Sequence, residues 1–272
     1  MEIKLGDIRD YDSVLDAISG HDTVFHLAAL IGIPYSYVSP MGYIKTNVEG
    51  TYNVLEASRK KGIKQIVITS TSETYGSAKY VPIDENHPKV GQSPYAATKI
   101  SADQLALSYY KSFNLPVKIA RPFNTYGPRQ SARAIIPTVI SQIIGGNKFL
   151  DLGNLSPTRD LTYVDDTCEG LIQLAKSKKL FGHEVNIGSK TEISVEELVK
   201  KIKKIMKSNI KIKINKKKIR PKLSEVDRLV CDNKKIKKYT KWKPKTNIDT
   251  GLRKTIKWIE SNKIKFKFKN YN

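Results

Sequence analysis

Short apolar runs alternate with longer amphipathic stretches, and this alternation is the feature that most constrains the fold. Brief apolar runs between polar residues are typical of buried strands, and they occur at residues 23–27, 65–70, 116–120 and 184–187. Helices are predicted between and around these strands, at residues 11–19, 41–61, 93–113, 134–144 and 165–177. Strands that alternate with helices in this way predict an α/β fold with a doubly wound parallel sheet.

The chain outside this alternating region has a different pattern. At the beginning, residues 3–5 are predicted to form a short strand that ends at Gly6. After Gly188, a serine followed three residues later by a glutamate predicts the start of a helix over residues 194–206. A basic strand at residues 211–214 and helices at residues 233–239 and 249–261 are expected to follow. The basic segment from residue 263 onward is either an edge strand or a frayed end.

A carboxylate and several hydroxyl groups follow the strand at residues 65–70, in the segment Thr71-Ser72-Glu73. The chemistry of open parallel sheets lies at the carboxyl ends of the strands. The next helix carries Tyr95 and Lys99 four residues apart, and therefore on one face. A lysine cation one turn from a phenol favours the phenolate and lowers its pKa, so that the tyrosine can accept a proton from a sugar hydroxyl. Tyrosine and lysine at this spacing are also common on exposed helices, and only the combination with the preceding strand end points to catalysis.

These motifs resemble one family of enzymes. The segment from Thr71 to Gly76, with Ser-Pro-Tyr-x-x-x-Lys ending at Lys99, is similar to the extended short-chain dehydrogenase/reductases that act as NAD-dependent epimerases and dehydratases of nucleotide sugars. The resemblance runs from Gly6 to about Trp258. Residues 28–37 and 121–133 are most similar to the 4,6-dehydratases that act on nucleotide-linked N-acetylglucosamine in legionaminic acid synthesis. The implied context is the biosynthesis of cell-surface polysaccharides in the cytoplasm.

The resemblance implies catalytic roles for five residues. Tyr95 would be the base for oxidation at C4, Thr71 would hydrogen-bond the sugar O4, and Lys99 would hold the nicotinamide ribose. Glu73 would remove the C5 proton once C4 is a ketone, because only then is that proton acidic enough for a carboxylate. Ser72 stands where dehydratases of deoxythymidine-diphosphate glucose carry the aspartate that protonates the departing hydroxyl. This serine leaves the acid at C6 unassigned and keeps decarboxylation open.

The resemblance also implies binding residues. Asp7 and Ile8 would hold the adenine ring of NAD, and the small side chains of Ala28 and Ala29 would line the cofactor. Contacts to the nucleotide sugar are expected from Ser36, Asn124, Arg159 and Arg228, where a guanidinium group suits a diphosphate. His26 and Asn47 have ordinary structural explanations, as a strand-end histidine and a helix asparagine. For Arg133, a solvated position and a contact with the substrate are equal alternatives. No metal is expected.

A glycine-rich turn is absent from the sequence, although a dinucleotide-binding sheet normally opens with a strand, such a turn and a helix that holds the pyrophosphate. The expected fold is therefore a Rossmann-type sheet without its first two strands, in which the edge of the strand at residues 23–27 is unpaired. Either the reading frame was assigned from an internal methionine, which we favour because the catalytic residues remain, or the gene is truncated. The DNA sequence upstream of Met1 would distinguish these two explanations. The 272-residue chain by itself is expected to bind NAD weakly.

The family also implies a division into two parts. Residues 1–122, with about 164–188, would form the partial NAD-binding domain. Residues 123–163 and 189–272 would form the lobe that binds the substrate.

The charge of +22 is the most unusual feature of the composition. Basic surfaces can bind nucleic acid, but these lysines are spread over helix surfaces without stacking aromatic residues, so nucleic acid is not the expected partner. Two scattered cysteines, Cys168 and Cys231, favour reduced thiols in the cytoplasm rather than a disulfide framework or a metal site. A membrane span and a secretory signal are both absent from the pattern.

The sequence therefore predicts an NAD-dependent 4,6-dehydratase of a UDP- or GDP-linked N-acetylglucosamine, acting as a homodimer. Two alternatives share the fold, a nucleotide-sugar 4-epimerase and a UDP-glucuronate decarboxylase. Glu73 counts against the epimerase, which does not need this carboxylate, and the decarboxylase needs a cation that the sequence does not place. Alternatives of another class are a catalytically silent, truncated fragment and a basic remnant that binds nucleic acid.

Overall fold

The computed structural model describes residues 2–262, and the segment from residue 263 onward, with its predicted edge strand, lies outside the described residues. Four strands form a parallel sheet in the order β1-β2-β3-β7. The strands of the described residues are β1 Thr23–His26, β2 Gln65–Thr69, β3 Val117–Pro122, β4 Asn124–Tyr126, β5 Phe149–Leu152, β6 Thr158–Tyr163, β7 Glu184–Ile187, β8 Glu192–Ser194, β9 Lys211–Ile214 and β10 Arg228–Leu229. The central strands β2 and β3 are almost wholly buried because helices cover both of their faces.

The helices of the described residues are α1 Tyr11–Ile18, α2 Ile33–Val38, α3 Pro40–Tyr43, α4 Gly50–Lys61, α5 Pro94–Phe113, α6 Ile135–Ile144, α7 Val164–Lys176, α8 Val195–Ile205, α9 Lys234–Tyr239 and α10 Ile248–Ser261. On one face of the sheet, α1, α4 and α5 bury residues such as Leu55 and Ala106 against Ile68 and Ile119. On the other face, α7 and α9 pack Leu174 and Ile236 against Val67 and Ala120. The parallel sheet is therefore covered on both sides, as the alternating sequence predicts.

A single helix is predicted over residues 41–61, whereas the structure divides it into three parts. Between α3 and α4 lies a π-helical segment, Ile44–Glu49. Gly50 begins α4, and a Cβ atom there would lie 2.8 Å from the Ile8 side chain. The glycine thus allows the segment before α1 to pack closely on α4.

The predicted substrate lobe, residues 123–163 and 189–272, is called the second lobe below. It contains the predicted strand β9 and also strands that the sequence pattern does not reveal, β4, β5, β6, β8 and β10. A mixed sheet has the order β10-β6-β4, with β8 antiparallel to β6, and β5 pairs with β9. Its core lies between α6, α8 and α10, where Ile136, Val139, Leu198, Val199 and Leu252 are buried. Ser194 and Glu197 form the predicted capping box at the start of α8. Within the predicted second lobe, Ile236 and Trp242 pack instead on the first sheet.

The strand predicted at residues 3–5 is wrong. The structure gives this segment no strand conformation, and Ile3 and Leu5 are 75% and 98% exposed. A strand needs a neighbour for its backbone hydrogen bonds, and none of the described strands pairs with this segment. For the same reason β1 is the edge of the sheet, with Phe25 and Leu27 partly exposed.

The chain has no candidate membrane span in residues 2–262, because each helix there is either too short or too polar.

Candidate active site

The carboxyl end of β2 provides the first part of the site. The Thr71 hydroxyl group accepts a hydrogen bond from the backbone N–H of Glu73 at 3.3 Å and so caps the 3-10 turn Ser72–Tyr75 that follows the strand. This turn buries both Ser72 and Glu73. The carboxylate of Glu73 is therefore fixed at a strand end by local backbone structure.

Helix α5 provides the second part. The Ser93 hydroxyl group caps its first turn by accepting from the N–H of Ala96 at 3.1 Å, and Pro94 begins the helix. Tyr95, in the first turn, is buried against Tyr43, whose ring lies edge-on with 6.2 Å between the ring centroids. The Tyr95 phenol hydrogen-bonds the Thr71 side chain and interacts electrostatically with Glu73. Tyr95, Thr71 and Glu73 therefore lie together, as predicted.

Lys99 lies one turn farther along α5 and is buried. Its Nζ atom donates a hydrogen bond to the backbone carbonyl oxygen of Thr69 at 2.6 Å, which connects α5 to the end of β2. Burial lowers the pKa of Lys99, and the Asp103 carboxylate opposes this effect.

The expected effect of Lys99 on the pKa of Tyr95 stays a prediction. Burial raises the pKa of Tyr95 far above its ordinary value, the Thr71 hydrogen bond opposes the rise, and the Glu73 carboxylate adds to it. The Lys99 ammonium group is bound to the Thr69 carbonyl instead. Tyr95 must therefore lose its phenolic proton before it can act as a base.

The expected cofactor residues lie along β1 and before α1. Ala28 is exposed and Ala29 half-buried just after the carboxyl end of β1. Asn47, in the π-helical segment, positions this segment by bonding both the N–H and the carbonyl group of Leu30, at 2.8 and 3.0 Å. Its amide also donates to Thr98 on α5 at 3.1 Å. The two alanines are thus held in a fixed place relative to the helix that carries Tyr95.

Asp7 and Ile8 lie apart from the catalytic residues. The Asp7 carboxylate accepts hydrogen bonds from the Arg9 guanidinium group, which lower its pKa to about 2. The Ile8 carbonyl oxygen accepts from the Asn53 amide at 3.0 Å.

The residues at the carboxyl ends of β1 and β2 fit the nicotinamide half of NAD. The Thr69 hydroxyl group is buried there without a hydrogen-bond partner among residues 2–262, and Lys99 is adjacent. Ala28 and Ala29 leave the end of β1 open to close approach. For the pyrophosphate, however, the sequence contains no glycine-rich turn.

Two of the predicted substrate residues lie in different environments. Ser36 is fully buried, and its hydroxyl group donates to the Ile33 carbonyl oxygen at 2.6 Å. Asn124, on β4, has a buried side-chain oxygen without a partner in the described part of the chain. The first side chain is engaged within its own helix, and the second has a free acceptor.

The two predicted arginines also lie in different environments. Arg159, on β6, is largely buried, and its environment includes Glu73 and Glu225, whose carboxylate lies 3.6 Å away. Burial lowers its pKa. Arg228, on the adjacent β10, is half-exposed and forms a bidentate pair with Glu192 at 2.6 and 2.8 Å. Of the two, Arg159 is the one that interacts electrostatically with Glu73.

A cavity of about 440 Å³ lies beside the ion pair of Arg159 and Glu225. Its lining includes Ser77, Gln92, Arg220 and Glu225. The Glu225 carboxylate lies between two guanidinium groups, 3.6 Å from Arg159 and 3.5 Å from Arg220.

Two buried charged residues next to the site are absent from the predicted set. The Asp103 carboxylate pairs with the Arg121 guanidinium group at 2.6 Å, and both side chains are completely buried. Asp103 also accepts from the Ser70 hydroxyl group at 2.6 Å. Its position four residues after Lys99 places it on the same helix face, which is the sequence signal that could have identified it.

Comparison with known proteins agrees with this geometry. The family model described as GDP-mannose 4,6 dehydratase matches residues 1–255. The chain belongs to this family. The expected membership in the NAD-dependent epimerases and dehydratases, and the expected Rossmann-type α/β fold, are thereby confirmed.

Relatives of this family member have several activities. The chain is 34% identical to the UDP-N-acetyl-alpha-D-glucosaminuronate decarboxylase of Bacillus cytotoxicus over 93% of its length and 81% of the relative's. It resembles the solved dTDP-glucose 4,6-dehydratase DesIV from Streptomyces venezuelae, with NAD bound, at 27% identity and a TM-score of 0.88, covering 96% and 80% of the two chains. The UDP-glucuronic acid 4-epimerase of Bacillus cereus, solved with its substrate and NAD, gives 28% identity and a TM-score of 0.88, with 94% and 81% coverage.

Proposed function

We propose that this protein is an NAD-dependent nucleotide-sugar 4,6-dehydratase whose substrate is a UDP- or GDP-linked N-acetylglucosamine. The observation that carries this proposal is the position of Glu73, a buried carboxylate at the same strand end as Thr71 and Tyr95. Oxidation and epimerisation at C4 need the tyrosine but no second base. A carboxylate placed beside it supports an elimination.

The protein's own residues divide the reaction between them. Tyr95, once its phenol has lost its own proton, accepts the proton of the sugar O4, and Thr71, hydrogen-bonded to Tyr95, orients that oxygen. Bound NAD supplies hydride acceptance from C4 and hydride return to C6. Glu73 then removes the C5 proton, which the C4 ketone has made acidic, as water leaves from C6. Ser72, buried in the same turn, is a candidate to donate a hydrogen bond to the departing hydroxyl group.

Binding of the nucleotide is assigned to the second lobe. A diphosphate can accept paired hydrogen bonds from a guanidinium group, and Arg159 offers one that is buried and close to Glu73. Asn124 has a buried oxygen left for a donor on the substrate. Arg228, Ser36, Asp7, Ile8, Ala28 and Ala29 keep the binding roles that the resemblance implies.

A sugar-nucleotide decarboxylase is the second candidate. Its specific support is the relationship to the decarboxylase of Bacillus cytotoxicus and the position of Arg159, since a buried guanidinium group near Glu73 could bind a sugar carboxylate. The products distinguish the two candidates: a 4-keto-6-deoxy sugar from dehydration, and carbon dioxide from decarboxylation. A 4-epimerase would release neither product.

The replacement Glu73→Gln tests the role of the carboxylate. With UDP- and GDP-N-acetylglucosamine at millimolar NAD, the wild-type protein should form a 4-keto-6-deoxy sugar and exchange the C5 proton with deuterated solvent. The variant should lose both, while reduced nicotinamide still appears, because Tyr95 and Thr71 remain. Glu85→Gln, which changes a half-buried carboxylate outside the site, is the control and should exchange normally. Full C5 exchange in Glu73→Gln would refute the assignment.

The proposal includes a homodimer that works in the cytoplasm on precursors of cell-surface polysaccharides. Light scattering coupled to gel filtration tests the dimer, and a single-chain mass would exclude it. A silent fragment would give no product with any sugar nucleotide at saturating NAD.

A further inference from the structure

The buried pair Asp103 and Arg121 lies directly behind the strand end that carries the site. The two side chains are fully shielded from solvent, and their charged atoms are 2.6 Å apart. Arg121 also contacts the Glu184 carboxylate at 2.9 Å and the Tyr75 hydroxyl group at 2.8 Å. A buried ion pair contributes little net stability compared with apolar side chains of the same volume, so its presence beside a reactive site calls for another explanation.

Two features connect Asp103 to Lys99. Asp103 is one helical turn after Lys99, and its carboxylate accepts the Ser70 hydroxyl group at 2.6 Å. Ser70 directly follows Thr69, whose carbonyl oxygen receives the Lys99 ammonium group. The second oxygen of Asp103 is buried without a hydrogen-bond partner in the described residues. The carboxylate therefore acts on Lys99 both through space and through the strand end.

We propose that Asp103 is a positioning residue that keeps the Lys99 ammonium group charged and fixed at the end of β2. This inference rests on the role proposed for Lys99. Without a nearby negative charge, a buried ammonium group tends to lose its proton, because burial disfavours the charged form. Asp103 supplies that charge from within the helix, and Arg121 and Ser70 hold it in place.

The other groups around Lys99 do not replace this charge. From β1, His26 is buried and neutral, since burial and the Lys99 charge lower its pKa to about 3. From α5, Tyr95 carries a neutral phenol, because burial raises its pKa. From β3, Arg121 carries a positive charge that is paired with Asp103 and Glu184, and a positive charge cannot favour protonated Lys99. Asp103 is accordingly the carboxylate that favours protonated Lys99.

The test follows the titration of Lys99 in the protein without NAD or substrate, by NMR of lysine labelled with carbon-13 at Cε. The signal is assigned by its loss in Lys99→Arg. In Asp103→Asn, the midpoint of Lys99 should move to lower pH. Glu184→Gln removes another carboxylate of Arg121 that has no contact with Lys99, and should leave the midpoint unchanged. Asp103→Glu restores the charge and should keep the midpoint near that of the wild-type protein.

A second readout applies to the active protein. The alkaline limb of the rate of nicotinamide reduction should move to lower pH in Asp103→Asn and not in Glu184→Gln. An unchanged Lys99 midpoint in Asp103→Asn, or equal shifts in both variants, would overturn the inference whatever the substrate proves to be. If Asp103→Asn does not fold, Asp103→Glu decides: a Lys99 midpoint that falls although the negative charge is kept would equally overturn it.

Discussion

The hydroxyl groups of Tyr37 and Ser224 lie 2.6 Å apart, although 187 residues separate them in the chain. Tyr37 belongs to α2, beside the end of β1, and Ser224 belongs to the segment that carries Glu225. Gln92, before α5, also donates to the Leu223 carbonyl oxygen of this segment, at 3.0 Å. These contacts hold the segment across the cavity beside Arg159.

Replacing Tyr37 with phenylalanine should loosen this segment. One hydrogen bond between neutral groups contributes about 1 kcal/mol, so we expect KM for the nucleotide sugar to rise about fivefold with little change in kcat. Steady-state kinetics measure this. Tyr35→Phe, on the same short helix, is the matched control, and an equal effect in both variants would show that the contact with Ser224 is irrelevant.

Loss of the Tyr95 hydroxyl group should remove the base for oxidation at C4. General base catalysis contributes roughly a hundredfold to ten-thousandfold, so Tyr95→Phe should lower kcat by at least about a hundredfold. The ring still packs against Tyr43, and the melting temperature should be nearly unchanged. Tyr109→Phe, on the same helix as Tyr95, removes a hydroxyl group that donates to Glu56 of α4 and should retain activity. Wild-type turnover in Tyr95→Phe would exclude the assigned role.

The two arginines assigned to the diphosphate should not contribute equally. Arg159 is buried near Glu73, whereas Arg228 is half-exposed and paired with Glu192. A hydrogen bond to a charged group is worth about 1.5–3 kcal/mol, so Arg159→Met should raise KM by about 10- to 100-fold. Arg228→Met should raise it less. If Arg228→Met has the larger effect, Glu192 must release Arg228 when substrate binds.

The spacing of apolar residues and the helix-capping residues were enough to predict most of the first sheet and the helices around it. Strand β7 and helix α5 follow directly from an apolar run and from a serine-proline start. In the second lobe, β9 at Lys211–Ile214 was predicted. Strands β8 and β10 were not, because they are only three and two residues long and show no clear alternation. Such strands depend on pairing partners that are distant in the sequence, such as β6.

In the candidate site, too, the sequence motif was predicted, whereas contacts between separate helices and strands were not. Thr71, Glu73, Tyr95 and Lys99 belong to a local motif, and the structure brings them together. The Lys99 contact with the Thr69 carbonyl oxygen, and the burial of the Tyr95 phenol, depend on how α5 packs on β2. The pairing of Asp103 with Arg121 depends on the neighbouring strand β3, which a helical pattern in the sequence does not reveal.

Removing Arg121 should destabilise the protein strongly. The variant Arg121→Met leaves Asp103 as a buried charge without its cation, and breaking a buried pair on one side costs about 3–5 kcal/mol. Urea unfolding followed by circular dichroism measures this loss. Lys64→Met, which removes an exposed partner of Asp22, is the control and should leave the unfolding midpoint unchanged.

Stability should fall in mildly acidic solution because of His26. This side chain is buried on β1 with its ring nitrogen 3.0 Å from the Thr51 hydroxyl group, and burial followed by the charge of Lys99 lowers its pKa from 6.5 to about 3. Between these two pH values the unfolded chain binds a proton that the folded protein does not. Unfolding is therefore favoured progressively as the pH falls below 6.5, and the loss levels off below about pH 3.

The expected size of this effect follows from the same pKa difference. At about pH 5 the histidine should lower the free energy of unfolding by about 2 kcal/mol relative to about pH 7.5. Other groups titrate over this range, so the quantity to measure is the difference between the wild-type protein and His26→Gln, which keeps a polar side chain next to Thr51. Urea unfolding at the two pH values should show a smaller loss in the variant, by about 2 kcal/mol. Equal losses in both proteins would mean that His26 takes up its proton in the folded state, and that the buried ammonium group of Lys99 does not keep it neutral.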